Sequence, residues 1–224
     1  MTPPKLIYFS DVLCIWAYAA QIRLDEVADQ FGDQIWVSEH FCSVFGDAHS
    51  KVAEKWKDRG GFDGFNAHLA EVASGFPHIK LNKDVWRNVR PQTSTSAHVF
   101  LKAVQIIDKE TPSETAFFQA ATWAIRSAFF EHGRDISDWD VRRQIANDLD
   151  MDFERIESKI KSSEAISALD ADHKLSHELG IIGSPTFVMN QARQKLYGNV
   201  GYLLIKANLE EMLRNPTADE ASWC

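Results

Sequence analysis

The chain has 224 residues, of which 45% are hydrophobic, and it carries a net charge of -8 with a pI near 5.5. A chain of this length can bury a sizeable core, either as one large domain or as a domain with an insertion. The acidic balance argues against general nucleic-acid binding, which needs a basic surface. No apolar run approaches the ~20 residues that span a bilayer, and the N-terminus lacks the pattern of a secretory signal. We therefore expect a cytoplasmic protein that binds neither nucleic acid nor membrane.

The N-terminal segment predicts a strand, a helix and a second strand. The first strand covers residues 5–9, and a helical pattern follows Cys14 as far as Phe31, with Gly32 as its end. Residues 35–42 begin with strong strand formers. A strand–helix–strand unit is normally a right-handed parallel crossover, so the ends of both strands meet at one edge of the sheet.

Helical patterns dominate the middle of the chain, and strands return only near its end. Helices are predicted at residues 62–72, 96–108, 114–130, 139–149, 153–160 and 163–179, with a long irregular loop at 75–91. Strands follow at residues 186–189 and 195–197, and a final amphipathic helix ends before Pro216. This order predicts an α/β fold, β-α-β then β-β-α, interrupted by a large helical insertion.

Cys14 is the cysteine whose context points to chemistry. The sequence has three cysteines, Cys14, Cys42 and Cys224, too few for a disulfide framework, so they are thiols by default in a reducing compartment. Cys14 stands where a strand runs into a helix, and the exposed N–H groups there can lower a cysteine pKa to roughly 3.5–7.5. Ala17, three residues later, stands where a dithiol site would have its second cysteine.

A second landmark is the segment Gly183-Ser184-Pro185 before the third strand. Proline cannot donate a ladder hydrogen bond, so Pro185 marks a strand start or a tight turn. A cis bond before it would turn the Ser184 backbone outward as an edge for a peptide-like ligand. Local sequence favours the trans isomer, because only ~5–6% of such bonds are cis in folded proteins.

Other polar residues support simpler interpretations. His173 and His177 have the spacing of helical metal ligands, but the sequence supplies no third ligand, so we expect surface or capping histidines and no metal site. Asp11, three residues before the thiol, could cap the helix or accept a proton, and of the two roles we expect capping.

On these residues the chain resembles the DsbA-like thioredoxin superfamily, in particular its cytoplasmic dithiol-oxidoreductase branch. That branch adjoins the hydroxychromene-carboxylate isomerases and the kappa-class glutathione transferases. Its signature, Asp-x-x-Cys-Pro-Trp-Cys-Tyr, is matched here by Asp11, Cys14, Trp16 and Tyr18. Ile15 and Ala17 replace the proline and the second cysteine, and further matches lie at residues 91–98, 133–138 and 179–188.

The resemblance implies a thioredoxin fold with a large all-helical insertion. Residues 1–45 and 180–224 would form the thioredoxin-fold domain, and residues 46–179 would form an inserted lid domain. It also implies that Pro185 is cis and packs against Cys14. Related proteins are often dimers, so a homodimer is a further expectation.

The resemblance and the missing thiol together predict a thiol-disulfide oxidoreductase that acts through the single nucleophile Cys14. Glutathione would be a co-substrate and not a tightly bound cofactor, and the other substrate would be a small-molecule or protein disulfide. Trp16, Tyr18, Ser184 and Pro185 are the expected binding residues. With Ala17 in place of the second thiol, simple dithiol oxidation is not expected.

Three alternatives stay open. The chain could be a glutathione-dependent isomerase or transferase, in whose relatives a serine at the position of Cys14 polarises the thiolate of glutathione. Trp86, Phe62 and Phe65 would then face a hydrophobic co-substrate, although core packing explains them equally well. The fold could also be a non-catalytic binding module. Finally, Cys42 is a candidate resolving thiol, although a buried structural cysteine fits it better.

Overall fold

The computed structural model describes residues 3–111 and 116–214, so Cys224 lies outside the described residues. The elements in chain order are β1 (Lys5–Ser10), α1 (Ile15–Phe31), β2 (Trp36–Phe41), α2 (Ala48–Lys55), a short 3-10 helix (Lys57–Arg59), α3 (Gly61–Ser74), α4 (Thr95–Glu110), α5 (Phe117–Phe130), α6 (Trp139–Asp148), α7 (Phe153–Lys161), α8 (Glu164–Glu178), β3 (Thr186–Met189), β4 (Gln194–Tyr197) and α9 (Tyr202–Arg214). Among these residues, no helix has the length and apolar character needed to cross a membrane.

The strands form a mixed sheet in the order β2-β1-β3-β4. β1 and β2 pair in parallel, which confirms the crossover predicted for the N-terminal unit. β3 runs antiparallel to both β1 and β4. The fold class is therefore confirmed: a thioredoxin-like sheet with helices inserted between β2 and β3.

Side chains of successive residues in β1 point to opposite faces of the sheet, and each face has its own apolar cluster. One face packs against α1 and α9 through Leu6, Tyr8, Leu24, Val27, Phe187, Ile205 and Leu209. The other face packs against α8 through Phe9, Cys42, Val188, Leu175 and Leu179. The sheet is thus covered on both sides.

The inserted helices share one large apolar core, and the segment around Cys14 belongs to it. Val12, Leu13 and Cys14 pack in the same cluster as buried residues of α2, α3, α4, α5, α6, α7 and α8. Trp86 and Phe65 are also buried in this cluster, with ring centroids 5.6 Å apart, and Phe62 packs against it. The structure therefore favours core packing for these aromatic residues over contact with a co-substrate.

Two local features show how the sequence sets element boundaries. α2 was not predicted, because its apolar pattern is short; only Ala48 and Val52 form its buried face. Asp47 caps α2 by accepting the N–H of Ser50 at 3.1 Å. Gly180 follows the end of α8 with a φ of +60°, a left-handed conformation that glycine adopts without strain, as predicted for a helix-ending glycine.

Candidate functional site

Cys14 is the residue that immediately precedes α1, in an extended conformation at the end of the loop from β1. Only 6% of Cys14 is exposed, and its Sγ donates a hydrogen bond to the Ser184 carbonyl at 3.2 Å. The peptide bond between Ser184 and Pro185 is cis, the isomer that the resemblance implies and not the one that local sequence favours. The structure thus brings together the two landmarks of the sequence.

The backbone of the segment before Cys14 is fixed at each N–H. Asp11 N–H donates to Ser184 Oγ (2.9 Å), and Val12 N–H donates to His98 Nε2 (3.2 Å). Leu13 N–H donates to the Asp11 carboxylate (2.9 Å), and Cys14 N–H donates to the Asp11 carbonyl (3.0 Å). Because these N–H groups are paired inside the protein, the segment presents Cys14 in one defined position.

The Asp11 carboxylate joins three segments of the chain and is not a helix cap. Its Oδ2 accepts from the N–H groups of Val44 (3.0 Å) and Phe45 (2.8 Å), and from Ser94 Oγ (2.8 Å). The prediction that Asp11 caps α1 is wrong, because Cys14 occupies the capping position and makes no side-chain capping bond. Instead, Asp11 clamps the reactive segment to the loop after β2 and to the start of α4.

His98, on α4, supports the reactive segment from the side of the insertion. It is 1% exposed, stacks on Phe41 with ring centroids 4.4 Å apart, and accepts the Val12 N–H through Nε2. Burial lowers the pKa of His98 to about 4, so the ring is neutral and Nε2 carries its lone pair near neutral pH. His98 lies in residues 91–98, a segment that matches the DsbA-like pattern, but the sequence alone indicated no role for it.

The pKa of Cys14 shifts in the direction opposite to the expectation from sequence. Burial raises the pKa of the Cys14 thiol, and the negative charge of Asp11 adds to it. Together they outweigh hydrogen bonding by Ser184, Ala17 and Trp16, which lowers the pKa. The thiol is therefore protonated at neutral pH and acts as a hydrogen-bond donor.

The neighbours of Cys14 in α1 are mostly buried. Trp16 is half-buried and meets Phe76 edge to face, with ring centroids 6.1 Å apart. Tyr18 lies between Trp123 and Phe130, with centroid distances of 5.1 and 4.9 Å. Tyr18 thus supports α1 from within the core, whereas Trp16 reaches the surface beside the thiol. Ala17 is fully buried, and so is most of Pro185.

Cys42 lies near the same loop but in different surroundings. Its Sγ is 3.9 Å from the Gly183 carbonyl, and it packs with Phe9 and Val188 rather than in the cluster that contains Cys14. Burial raises the pKa of the Cys42 thiol well above its ordinary value. Both cysteines of the described residues are free thiols, and a resolving role for Cys42 stays a prediction.

A cavity of about 360 Å³ opens beside the loop that carries Ser184. Its walls are Cys42, Ser43, Val44, Lys51, His173, Ser176, His177, Ile181, Ile182 and Gly183, and none of these described residues is acidic. Lys51 Nζ lies 4.5 Å from the centre of the Phe45 ring and donates to the Val44 carbonyl, and burial lowers the pKa of Lys51. His173 and His177 line this cavity, a placement that the sequence did not predict. Among the described residues, no group of three or more His, Cys, Asp or Glu side chains is arranged to hold a metal ion.

Three solved structures that share this fold carry the names of a protein disulfide isomerase, a disulfide reductase and a hydroxychromene-carboxylate isomerase. A protein from Nitrosomonas europaea put forward as a protein disulfide isomerase superposes with a TM-score of 0.78 at 16% identity, covering 95% of this chain and 98% of its own. The cytosolic disulfide reductase DsbM from Pseudomonas aeruginosa, also solved with GSH, gives 0.67 at 21% identity, covering 94% and 99%. A 2-hydroxychromene-2-carboxylate isomerase gives 0.63 at 16% identity, covering 94% and 97%. These identities show a common fold.

Sequence comparison assigns the family directly. A search of curated proteins finds no match to this chain. The family profile of the DSBA-like thioredoxin domain, in contrast, matches residues 5–210, which include both the sheet and the inserted helices. With the cis peptide bond beside Cys14 and the helices inserted into the sheet domain, this match shows that the chain belongs to the family of DSBA-like thioredoxin domains.

Proposed function

We propose that this protein is a glutathione-dependent thiol-disulfide oxidoreductase whose single nucleophile is Cys14. The observation that carries the proposal is the pairing of the Cys14 thiol with the Ser184 carbonyl at 3.2 Å, with a fully buried alanine at position 17. The family consists of oxidoreductases and related enzymes, and Ala17 removes the second thiol that a dithiol mechanism requires. A second molecule with a thiol must then resolve the mixed disulfide.

The cavity beside Gly183 suits glutathione as that molecule. Glutathione carries two carboxylates. Lys51 supplies positive charge, His173 and His177 supply ring N–H donors, and none of the lining residues is acidic. The cavity borders the loop whose next residue, Ser184, contacts the Cys14 thiol. DsbM, which has the same fold, has been solved with GSH, and this supports the choice.

The reaction takes place in two exchange steps. In the first, Cys14 Sγ attacks the glutathionyl sulfur of a mixed disulfide, the S–S bond breaks, and the leaving sulfur takes the proton that Cys14 gives up. In the second, the thiolate of a free glutathione attacks the Cys14–glutathione disulfide. Cys14 regains a proton, and glutathione disulfide leaves. The substrate is thus reduced to a thiol, and glutathione is oxidised to its disulfide. A cytoplasmic location would supply the reduced glutathione that this cycle consumes.

The test is glutathione-dependent reduction of a glutathionylated peptide by purified protein. We expect Cys14→Ser to abolish turnover and Cys42→Ser to retain most of it, because the single-thiol cycle does not use the second cysteine. Loss of turnover in both variants would instead support Cys42 as a resolving thiol. Unchanged turnover in Cys14→Ser would rule the proposal out. Sedimentation of the same protein would check the expected homodimer.

The protonation of Cys14 favours a second candidate function. A neutral thiol that donates a hydrogen bond could polarise the sulfur of bound glutathione, as the serine does in the related isomerases and transferases. Serine is also a hydrogen-bond donor, so in this case Cys14→Ser would retain glutathione-dependent turnover of an isomerisable or electrophilic aromatic substrate. The two functions therefore predict opposite effects of the same substitution.

A further inference from the structure

Away from Cys14, hydrogen bonds link a serine, a histidine and an aspartate in the order found in serine hydrolases. Ser38 Oγ lies 2.8 Å from His40 Nε2, and His40 Nδ1 lies 2.6 Å from Asp172 Oδ1. Ser38 and His40 are two residues apart on one strand, so both side chains point to the same face of the sheet. Catalytic triads are recognised by such geometry and not by their order in the sequence.

The aspartate of this hydrogen-bonded triad is held in place by several partners. Asp172, on α8, is buried, and its Oδ2 accepts the Phe41 N–H at 2.9 Å and lies 3.0 Å from Lys102 Nζ. Burial alone would raise the pKa of Asp172, but the hydrogen bond from His40 and the charge of Lys102 hold it below the usual range. Asp172 is therefore an ionised acceptor that orients His40 Nδ1–H, which leaves Nε2 to accept the Ser38 hydroxyl.

A mainly apolar cavity lies on the same face of the sheet as Ser38. It has a volume of about 400 Å³, and its walls include Ile7 of β1, Leu175 of α8 and Leu179 just after α8, but not Ser38, His40 or Asp172 themselves. Ile7 is the register partner of Ser38, so the two residues stand side by side on neighbouring strands about 4.8 Å apart. Leu175 follows Asp172 by three residues and shares its face of α8. A short acyl chain that fills this cavity and extends past Ile7 would bring its carbonyl toward Ser38.

The edge position of β2 also supplies a backbone donor beside the serine. Phe41 N–H donates to Asp172, and the Glu39 carbonyl accepts from Gln105 Nε2 at 3.1 Å, so these residues direct their backbone groups away from β1. The Glu39 N–H points the same way as its carbonyl. It belongs to the residue that follows Ser38, the position from which hydrolases with a nucleophilic serine stabilise an oxyanion.

We propose that Ser38, His40 and Asp172 form a second catalytic site, which hydrolyses esters of short acyl chains. Ser38 Oγ attacks the ester carbonyl while His40 Nε2 takes the hydroxyl proton. The C–O bond to the alcohol breaks, and His40 returns the proton to the leaving alkoxide. Water then attacks the acyl-serine with His40 as base, and the acid is released as Ser38 regains its proton. Water is the only co-reactant.

The test uses p-nitrophenyl butyrate and a thiol-free background, Cys14→Ser, Cys42→Ser and Cys224→Ser, in which no thiol can accept the acyl group. In this background we expect Ser38→Ala and His40→Gln each to lower kcat/KM by about 100-fold or more. Ser167→Ala, on the exposed face of α8, is the matched control and should leave the rate unchanged.

A fluorophosphonate probe gives an independent readout on the unmodified protein, whose folding is not in question. Recovery of the probe on the peptide that contains Ser38 supports the site. Label on another residue, no label at all, or equal butyrate hydrolysis with and without Ser38 would each overturn it. None of these readouts depends on glutathione, so this proposal and the function of Cys14 stand or fall separately.

Discussion

Burial sets the protonation state of two side chains at the site: the thiol of Cys14 and the imidazole of His98, which binds the segment before Cys14. The Cys14 thiol and the His98 imidazole are both packed inside the protein, and desolvation disfavours the charged form of each. For the thiol this raises the pKa, and for the imidazole it lowers the pKa. Both residues are therefore neutral at pH 7, which suits the hydrogen bonds they make in the structure.

The raised pKa of Cys14 predicts slow alkylation at neutral pH. The rate of iodoacetamide modification of the Cys14 peptide should rise with a midpoint above the ordinary value of 9.0, and glutathione should protect the residue. A midpoint at or below that value would contradict the assigned burial.

The raised pKa of Cys14 also affects stability. The folded pKa exceeds the unfolded one, so the stability that Cys14 contributes is complete below pH 9.0 and should be lost as the pH rises through the folded pKa.

The lowered pKa of His98 predicts acid sensitivity. Between its ordinary value of 6.5 and its folded value of about 4, the unfolded chain binds a proton that the native state does not. Stability should therefore fall by up to about 3 kcal/mol as the pH drops through this window. Urea unfolding at pH 7 and at pH 4.5 would measure the loss, which His98→Gln should lack. Equal pH dependence in both proteins would contradict the prediction.

At the scale of elements, buried polar groups tie the inserted helices to the sheet. Asp11 links the loop before α1 to the loop after β2 and to the residue before α4. Asp172 of α8 and Lys102 of α4 form a buried ion pair against the N–H of Phe41 at the end of β2. The insertion is thus attached to the sheet beneath the reactive loop, close to the thiol.

The buried pair between Lys102 and Asp172 should be far more costly to break than an exposed one. Lys102→Met leaves a buried carboxylate without its cation and should lower the free energy of unfolding by about 3–5 kcal/mol. The matched control is Lys174→Met on α8, the helix that also carries Asp172. It removes the exposed salt-bridge partner of Asp170 and should cost about 0–1 kcal/mol. Denaturant titration of both variants would decide, and equal losses would contradict the burial of the first pair.

For the whole molecule, the shared core predicts cooperative unfolding. Cys14 and its neighbours pack in the same cluster as the inserted helices, so the insertion cannot melt without exposing the reactive segment. We expect one thermal transition, with equal calorimetric and van't Hoff enthalpies. Two separate transitions would show that the insertion is an independent folding unit, as a simple lid would be.

The sequence was sufficient for the architecture and for the position of the thiol, but not for its surroundings. Alternating and helical apolar patterns located the strands and most helices, and the match around Cys14 identified the family. The partners of the reactive segment were not visible, because His98 and Ser184 lie 86 and 173 residues away from the N–H groups they accept. The direction of the Cys14 pKa was missed for the same reason, since burial arises from the tertiary packing.

The close approach of Tyr197 to Gly183 offers a way to follow this loop in solution. A Cβ at position 183 would come within 2.7 Å of the Tyr197 ring, so the ring lies directly on the residue before Ser184. The sequence has only four tyrosines. Protein labelled with 3-fluorotyrosine would give a correspondingly simple fluorine NMR spectrum, and the line of Tyr197 would move when a ligand reaches the loop. The molecule thus carries a spectroscopic reporter of its own occupancy, which needs no knowledge of the substrate.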